Sequence, residues 1–242
     1  MIATSLSRMG KSVRRMMQKL RPWPGREIPG RFQAYSHTLP DRYPWIFEFI
    51  RSRVADEAAT RLLSFGCSRG DEVFSLRKYF PAAAIKGIDI DPRNIELCFA
   101  RLTSANSRTT CFVAASDTQA ETSGSYDAIF CLAVLCLGDL TTSGAQRSDP
   151  RLKFEDFDRM VADFARCLKP RGILVLHTTN FRFCDSSVAG DFDVVLEADA
   201  AQLAPDVLFD RDNKLITGAR YHPVAFRKRA ATAGADSSNT VP

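Results

Sequence analysis

The segment that most constrains the fold of this chain lies in its first half. An apolar run over residues 61–65 leads into a turn that holds Gly66 and Gly70, and a helical pattern follows. Nineteen positions after Gly70, a second apolar run ends in Asp89. This order predicts a βαβ unit whose glycines let the backbone approach a ligand and whose carboxylate accepts hydrogen bonds from ribose hydroxyls. The sequence therefore predicts a nucleoside site on this unit.

Strands and helices alternate along the rest of the chain. We expect one helix to begin near Asp41 and others to cover 71–79, 92–102 and 154–168. The expected strands cover 61–65, 84–89, 110–115, 128–132 and 173–178, followed by short strands at 194–197, 207–209, 214–216 and 223–227, with a tight turn over 210–213. Strands that read as solid apolar runs between helices indicate a parallel sheet covered on both faces. We predict an α/β, Rossmann-like fold with a seven-stranded, mostly parallel sheet and an antiparallel C-terminal strand.

Charge divides the chain into unequal parts. Residues 1–31 hold eight Lys and Arg but one acid, whereas residues 32–242 hold 25 basic and 27 acidic residues. The globular part is therefore close to neutral, which argues against a broad nucleic-acid surface. We predict a basic arm and linker over 1–30, a domain over 31–229 and a disordered tail over 230–242. Residues 1–21 have helical amphipathic spacing, so this segment is expected either to contact an anionic membrane surface or a partner, or to pack on its own domain.

Composition narrows the cellular setting. No apolar run approaches the roughly 20 residues of a membrane-spanning helix, and the N-terminus lacks the apolar core of a secretory signal. Seven cysteines without a Cys-x-x-Cys pair argue against a disulfide framework and against a zinc site. The expected location is the reducing cytoplasm, and no metal is expected.

The turn itself favours one class of nucleoside cofactor. Ser68 stands where a dinucleotide-binding turn has its middle glycine, which the backbone needs in order to touch a pyrophosphate. Asp71 and Glu72 open the next helix, where they would repel a phosphate. S-adenosylmethionine has a nucleoside, a sulfonium and an ammonium but no phosphate, so it suits these residues better than NAD. The two acids are expected either to orient the ammonium or to stabilise the helix N-terminus.

Five segments resemble the motifs of class I S-adenosylmethionine-dependent methyltransferases. In order, they are 62–70, 87–92, 115–117, 126–131 and 168–175, and together they cover roughly residues 60–180. The resemblance implies that Asp89 holds the ribose, that Asp117 contacts the adenine amine and that the strand containing Cys131 lies beneath the transferable methyl. The cofactor-binding residues it implies are Ser64, Gly66, Cys67, Ser68, Gly70, Glu72, Asp89, Ile90, Asp117 and Cys131.

Within that class, residues 66–72 and 129–131 are most similar to chemotaxis-receptor methyltransferases, which esterify glutamates. The chain departs from them at Leu132-Ala133, where they carry an Arg-Asn pair, and it has only a short arm and one helix in place of their basic helical domain. Ser64 is a further departure, because the wider class usually has an acid there. The methyl acceptor is therefore left open, with a small molecule or a protein favoured over nucleic acid.

No catalytic residue is assigned from the sequence. His177 and Asn180 follow a strand at the edge where open α/β sheets bind ligands, and Asp139 follows the preceding strand. His37 and Tyr43 are candidates for covering the cofactor. In-line methyl transfer gains most of its rate from alignment, so a general base is optional. Two alternatives stay open: a non-catalytic subunit that binds S-adenosylmethionine, and an NAD-dependent oxidoreductase.

Overall fold

One seven-stranded sheet organises the structure. The computed structural model describes residues 32, 38–149, 151–203 and 206–230. Its strands are β1 (Arg61–Phe65), β2 (Ala84–Asp89), β3 (Thr110–Ala114), β4 (Tyr126–Leu132), β5 (Leu168–His177), β6 (Phe192–Glu197) and β7 (Pro223–Lys228). The α-helices in these ranges are α1 (Pro44–Arg51), α2 (Asp71–Tyr79), α3 (Pro92–Ala100), α4 (Gly138–Ser143) and α5 (Phe154–Cys167).

The strand order is β3-β2-β1-β4-β5-β7-β6. The first five strands in that order pair in parallel, whereas β7 lies antiparallel to both of its neighbours, β5 and β6. The predicted seven-stranded, mostly parallel sheet with an antiparallel final strand is confirmed. After β1 the chain runs outward through β2 and β3 and then returns to the other side of β1. The carboxyl ends of β1 and β4 therefore lie at a topological switch point, where open α/β sheets bind ligands.

Two apolar cores lie on opposite faces of the sheet, because neighbouring residues of each strand point to opposite sides. Leu62 of β1 packs with the buried faces of α1, α2 and α3. Leu63 packs with α5, whose buried Phe157 and Phe164 repeat at helical spacing. Helices therefore cover both faces, as the sequence predicts.

The chain differs from prediction between β6 and β7. Segments 207–209 and 214–216 were expected to be strands, but they form isolated bridges such as Phe209 with Leu215. Their backbone amides form hydrogen bonds to distant loops: the Phe209 amide donates to the Asn180 carbonyl at 2.9 Å, and the Leu215 amide donates to the Gln146 carbonyl at 2.9 Å. The tight turn over 210–213 is confirmed, since the Asn213 amide donates to the Asp210 carbonyl at 3.0 Å.

Helix α4 was not anticipated either. It has the sequence Gly-Asp-Leu-Thr-Thr-Ser, which contains one apolar residue and therefore no helical periodicity. The basic arm, His37 and residues 231–242 of the tail lie outside the described residues. In the part of the chain that the structure describes, no helix has the length and apolar character needed to cross a membrane.

Candidate functional site

The turn between β1 and α2 is built from left-handed backbone. Gly66, Ser68 and Gly70 have φ values of +74°, +49° and +85°. The amides of Gly66 and Cys67 both donate to the carbonyl of Ile88 on β2, at 2.7 and 2.9 Å. Left-handed backbone at every second residue of the turn lets the chain reverse tightly above the carboxyl end of β1 while it stays hydrogen-bonded to β2. Backbone amides and carbonyls are thereby brought to the switch point.

Asp89, at the end of β2, holds this turn in place. Its Oδ2 accepts from the Ser68 amide at 2.7 Å, and its Oδ1 accepts from the Asp91 amide at 2.9 Å and from Asn94 Nδ2 at 3.0 Å. The side chain is 7% exposed. Two carboxylate oxygens offer about four acceptor positions, so one position on Oδ2 is left for a ligand. Asp89 is thus a structural anchor as well as a candidate ligand contact.

A cavity of about 100 Å³ opens at the switch point between β1 and β4. Six of the predicted cofactor-binding residues line it: Gly66, Cys67, Ser68, Glu72, Asp89 and Ile90. The sequence motifs around the turn and after β2 therefore converge on one space.

The other four predicted residues do not line this cavity. Ser64 is fully buried and donates to Glu72 Oε1 at 2.7 Å, so it supports a residue that does line it. Gly70 caps the N-terminus of α2, and Cys131 is fully buried within β4. Asp117 accepts from the Gln119 amide at 3.1 Å, while its neighbour Ser116 lines the cavity instead.

Asp71 and Glu72 have different roles. Asp71 forms an ion pair at 2.8 Å with Arg101, just after α3, and it does not line the cavity. Glu72 does line it, and burial raises the pKa of its carboxyl from the usual 4.5 to about 7, although the hydrogen bond from Ser64 and the charge of Arg42 oppose the rise. A cationic partner stabilises the charged form of a carboxylate such as this one.

Glu72→Gln should raise the stability of the ligand-free protein at pH 8 and leave it nearly unchanged at pH 5. A carboxyl with a raised native pKa binds its proton more tightly when folded, so stability falls as pH rises from about 4.5 to about 7. Because Glu72 is partly exposed, we expect a difference of about 1–2 kcal/mol, below the roughly 3 kcal/mol limit set by the shift. Chemical denaturation at both pH values measures it. A Gln variant that is less stable than the native chain at pH 8 would contradict the assignment.

The sequence did not identify several residues that cover the cavity. Phe32, Thr38, Leu39 and Arg42 line it from the segment before α1, and Val134 does so after β4. Of the residues in that segment, the sequence singled out Tyr43, which also lines the cavity. Ala133 adopts a left-handed backbone conformation, with φ of +56°, which is unusual for alanine and which no sequence pattern predicted.

Both ring nitrogens of His177 have partners. Nε2 lies 3.0 Å from the Gln202 carbonyl oxygen, and Nδ1 lies 2.8 Å from the Thr178 hydroxyl. Because a carbonyl can only accept, Nε2 carries the hydrogen and Nδ1 accepts from Thr178. The rings of Tyr43 and Trp45 pack at 4.8 and 5.8 Å, and burial lowers the pKa of the imidazole. His177 is therefore held neutral as a packing group, with no nitrogen free for base catalysis.

Asn180 and Asp139 also have structural partners. Asn180 Oδ1 accepts from the Leu137 amide at 2.6 Å, and its Nδ2 donates to the Val207 carbonyl at 2.8 Å, so it ties two loops together. Asp139 forms an exposed ion pair with Arg151 at 2.9 Å. Neither residue lines the cavity at the switch point.

Cysteine chemistry and metal chemistry contribute little to this site. All seven cysteines are free thiols; the hydrogen bond with Cys98 and burial raise the pKa of the Cys67 thiol, and burial raises that of Cys131. Within the described ranges, no group of three or more His, Cys, Asp or Glu residues could hold a metal ion.

Comparison with protein families identifies the class of domain. Residues 63–174 match the family model described as a methyltransferase domain. The matched stretch contains the turn, Asp89 and the strands that frame the cavity, which agrees with the methyltransferase domain that the sequence motifs predict. The finer likeness to chemotaxis-receptor methyltransferases is not shown. A search of curated proteins finds no match to the chain.

Solved structures of similar shape include three that illustrate the range of chemistry. The cyclase SpnF is 20% identical, with 55% of this chain and 43% of that chain covered and a TM-score of 0.42. Geranyl diphosphate C-methyltransferase from Streptomyces coelicolor is 14% identical, with 55% and 43% covered and a TM-score of 0.40. Phosphoethanolamine N-methyltransferase 2 from Haemonchus contortus is 14% identical, with 58% and 29% covered and a TM-score of 0.42. The match spans less than half of each of these chains, and at these scores it carries no argument about activity or substrate.

Proposed function

We propose that this chain binds S-adenosylmethionine at the β1–β4 switch point and transfers its methyl group to an acceptor. The observation that carries this proposal is the pairing of two carboxylates with one cavity: Asp89 at the end of β2 and Glu72 at the start of α2. A nucleoside with a cationic tail satisfies both, since the ribose donates to one carboxylate and the ammonium compensates the other.

Each end of the cofactor has a matching contact in this proposal. The free acceptor position on Asp89 Oδ2 takes a ribose hydroxyl, and Ile90 offers an apolar surface to the adenine. The close-approach backbone at Gly66 and Cys67 lies against the amino-acid portion. Ser64 positions Glu72 from behind through the 2.7 Å hydrogen bond. Asp117 acts on the adenine side of the cavity through its neighbour Ser116. Gly70 shapes the turn, and Cys131 of β4 forms part of the floor of the site.

The methyl transfer depends more on the alignment of donor and acceptor than on acid–base groups. The acceptor's lone pair attacks the methyl carbon, the carbon–sulfur bond breaks, and its electron pair stays on sulfur, which becomes a neutral thioether. Holding donor and acceptor in line supplies most of the rate gain. This agrees with the occupied nitrogens of His177 and with the absence of an assigned base.

The acceptor is best sought among small molecules or proteins. The near-neutral balance of residues 32–242 lacks the basic excess that nucleic-acid binding requires. Glutamate esterification is one protein-directed hypothesis, on the finer resemblance of the motifs. Free thiols throughout support a cytoplasmic location. Contact of residues 1–21 with a membrane surface or a partner stays a proposal from the sequence.

Calorimetry with S-adenosylmethionine, S-adenosylhomocysteine and NAD tests the cofactor. We expect micromolar binding of the first two and no heat of binding for NAD, because Ser68 and Glu72 disfavour a pyrophosphate. NAD binding without a response to S-adenosylmethionine would favour the oxidoreductase.

Turnover needs a separate measurement. Incubation with methyl-labelled cofactor and fractionated cell extract should place the label in a small-molecule or protein fraction. Cofactor affinity without transfer to any fraction would instead support a non-catalytic binding subunit.

A further inference from the structure

A second cavity lies beside the first and is not explained by cofactor binding. It has a volume of about 310 Å³, and the residues that line it belong to the carboxyl end of β5 and to the stretches 200–203, 206–208 and 219–224. His177 lines this second cavity, Tyr43 lines the first, and their ring centroids are 4.8 Å apart. The two cavities therefore adjoin each other at this pair of rings. The volume is in the range of a small-molecule site.

The second cavity contains an incompletely bonded acid. Asp206 lines it, and its Oδ1 accepts a long hydrogen bond, 3.5 Å, from the Thr141 hydroxyl of α4. Its Oδ2 is buried and has no hydrogen-bond partner among the described residues. A buried carboxylate oxygen without a donor costs about 1–3 kcal/mol, so its retention calls for a ligand or a water at that atom.

The charges around Asp206 do not neutralise it. Arg42, at the first cavity, attracts both Asp206 and Glu72, yet no ion pair within 4 Å joins it to either acid in the described ranges. Arg220 lines the same cavity but is exposed. Burial is the larger influence and raises the pKa of the Asp206 carboxyl, which means that burial disfavours its charged form, whereas a cation beside it would favour that form.

The remaining lining mixes apolar and polar groups. Leu176, Leu203, Leu208 and Val224 supply hydrocarbon surface, and Thr179 and Tyr221 supply hydroxyl groups. An ammonium offers three donors and a compensating charge, whereas an alcohol offers one donor and no charge. A hydrogen-bonded ion pair with Asp206 is therefore stronger for an amine than a hydrogen bond from an alcohol of equal shape.

Building on the proposed methyl transfer, we propose that the second cavity is the acceptor site and that Asp206 is its specificity-determining residue, which selects small acceptors bearing a protonated amine. Asp206 Oδ2 accepts from the ammonium, and the leucine-rich wall holds the carbon skeleton. Thr141 of α4 fixes the carboxylate, because its hydroxyl also accepts from the Val207 amide at 3.2 Å.

A matched pair of probes tests this selection. Phenethylamine and 2-phenylethanol share a skeleton and differ in the polar group, and each is titrated into the full chain saturated with S-adenosylhomocysteine. The native protein should bind the amine at least tenfold more tightly than the alcohol. Asp206→Asn should reduce that preference to less than threefold. Asp139→Asn, which removes an exposed carboxylate from the same helix α4, should keep it.

The outcomes separate this proposal from the one it rests on. S-adenosylhomocysteine should bind all three proteins equally, and Asp206→Asn should be at least as stable as the native chain because it removes a buried acid. Failure of the native chain to bind S-adenosylhomocysteine would overturn the cofactor assignment. With that binding intact, three results would each overturn the role of Asp206: no binding of either probe, equal binding of both, or a preference that survives Asp206→Asn.

Discussion

Gly66→Ala should destabilise the protein by about 2–4 kcal/mol and abolish measurable cofactor binding. With φ at +74°, an alanine costs about 1–2 kcal/mol through its backbone alone. Its Cβ would also lie 2.3 Å from Val134 Cγ2 and 3.2 Å from Val134 Cβ, so rotation of the valine cannot relieve the overlap. Overpacking of this kind adds roughly 1–3 kcal/mol and pushes the loop after β4 into the cavity.

Other glycines in the chain separate the two costs. Gly124 has φ of +62° but open space at its Cβ position, so Gly124→Ala measures the backbone cost alone. Gly138, at the start of α4, has neither constraint, and Gly138→Ala should leave stability unchanged or slightly higher. Adding Val134→Ala to Gly66→Ala should recover the overlap cost but not the backbone cost. Denaturant melts measure the stability of each variant, and calorimetry measures its cofactor affinity. A Gly66→Ala chain that loses no more stability than Gly124→Ala would show that the overlap with Val134 is relieved at no cost.

Asp89→Asn should destabilise the ligand-free protein by about 1–3 kcal/mol and weaken S-adenosylmethionine binding at least tenfold. The carboxylate accepts from three donors, and an amide in its place turns one acceptor into a donor that faces another N–H. Although Asp89 lies at the end of a strand, it is buried and bonded to the Ser68 amide, so its loss affects the stability of the turn.

Asp91→Asn is the matched control for this variant. Asp91 stands two residues away and caps α3 by accepting from the Arg93 amide at 3.0 Å, a task that asparagine performs equally well. Stability and affinity should both stay close to those of the native chain. If Asp89→Asn also leaves both quantities unchanged, Asp89 neither anchors the turn nor contacts the ribose.

The sequence contained enough to predict the central fold and the floor of the site. Hydrophobic periodicity is a local property, and it gave β1, β2, β4, α2 and α5 because those segments are buried on faces that recur every two or 3.6 residues. Gly66 and Gly70 marked the turn because left-handed backbone favours glycine over other residues. The switch point and Asp89 then followed from the order of the elements.

Tertiary structure alone decided the residues whose roles depend on distant partners. Asp71 and Glu72 are adjacent in sequence, yet one pairs with Arg101, whereas the other accepts a hydrogen bond from Ser64 and lines the cavity. Helix α4 has no periodic pattern in its sequence, and Asn180, more than 40 residues away, supplies the acceptor for the Leu137 amide just before it.

Asp206 likewise lies in a segment without a motif, and its burial results from α4 and the end of β5 closing around it. The sequence by itself determined the architecture, since this rests on local backbone preference and burial pattern, and the residues of the turn predicted the cofactor class. Which acid meets a ligand was decided by long-range packing, because only packing sets the desolvation and the donors that each carboxylate finds.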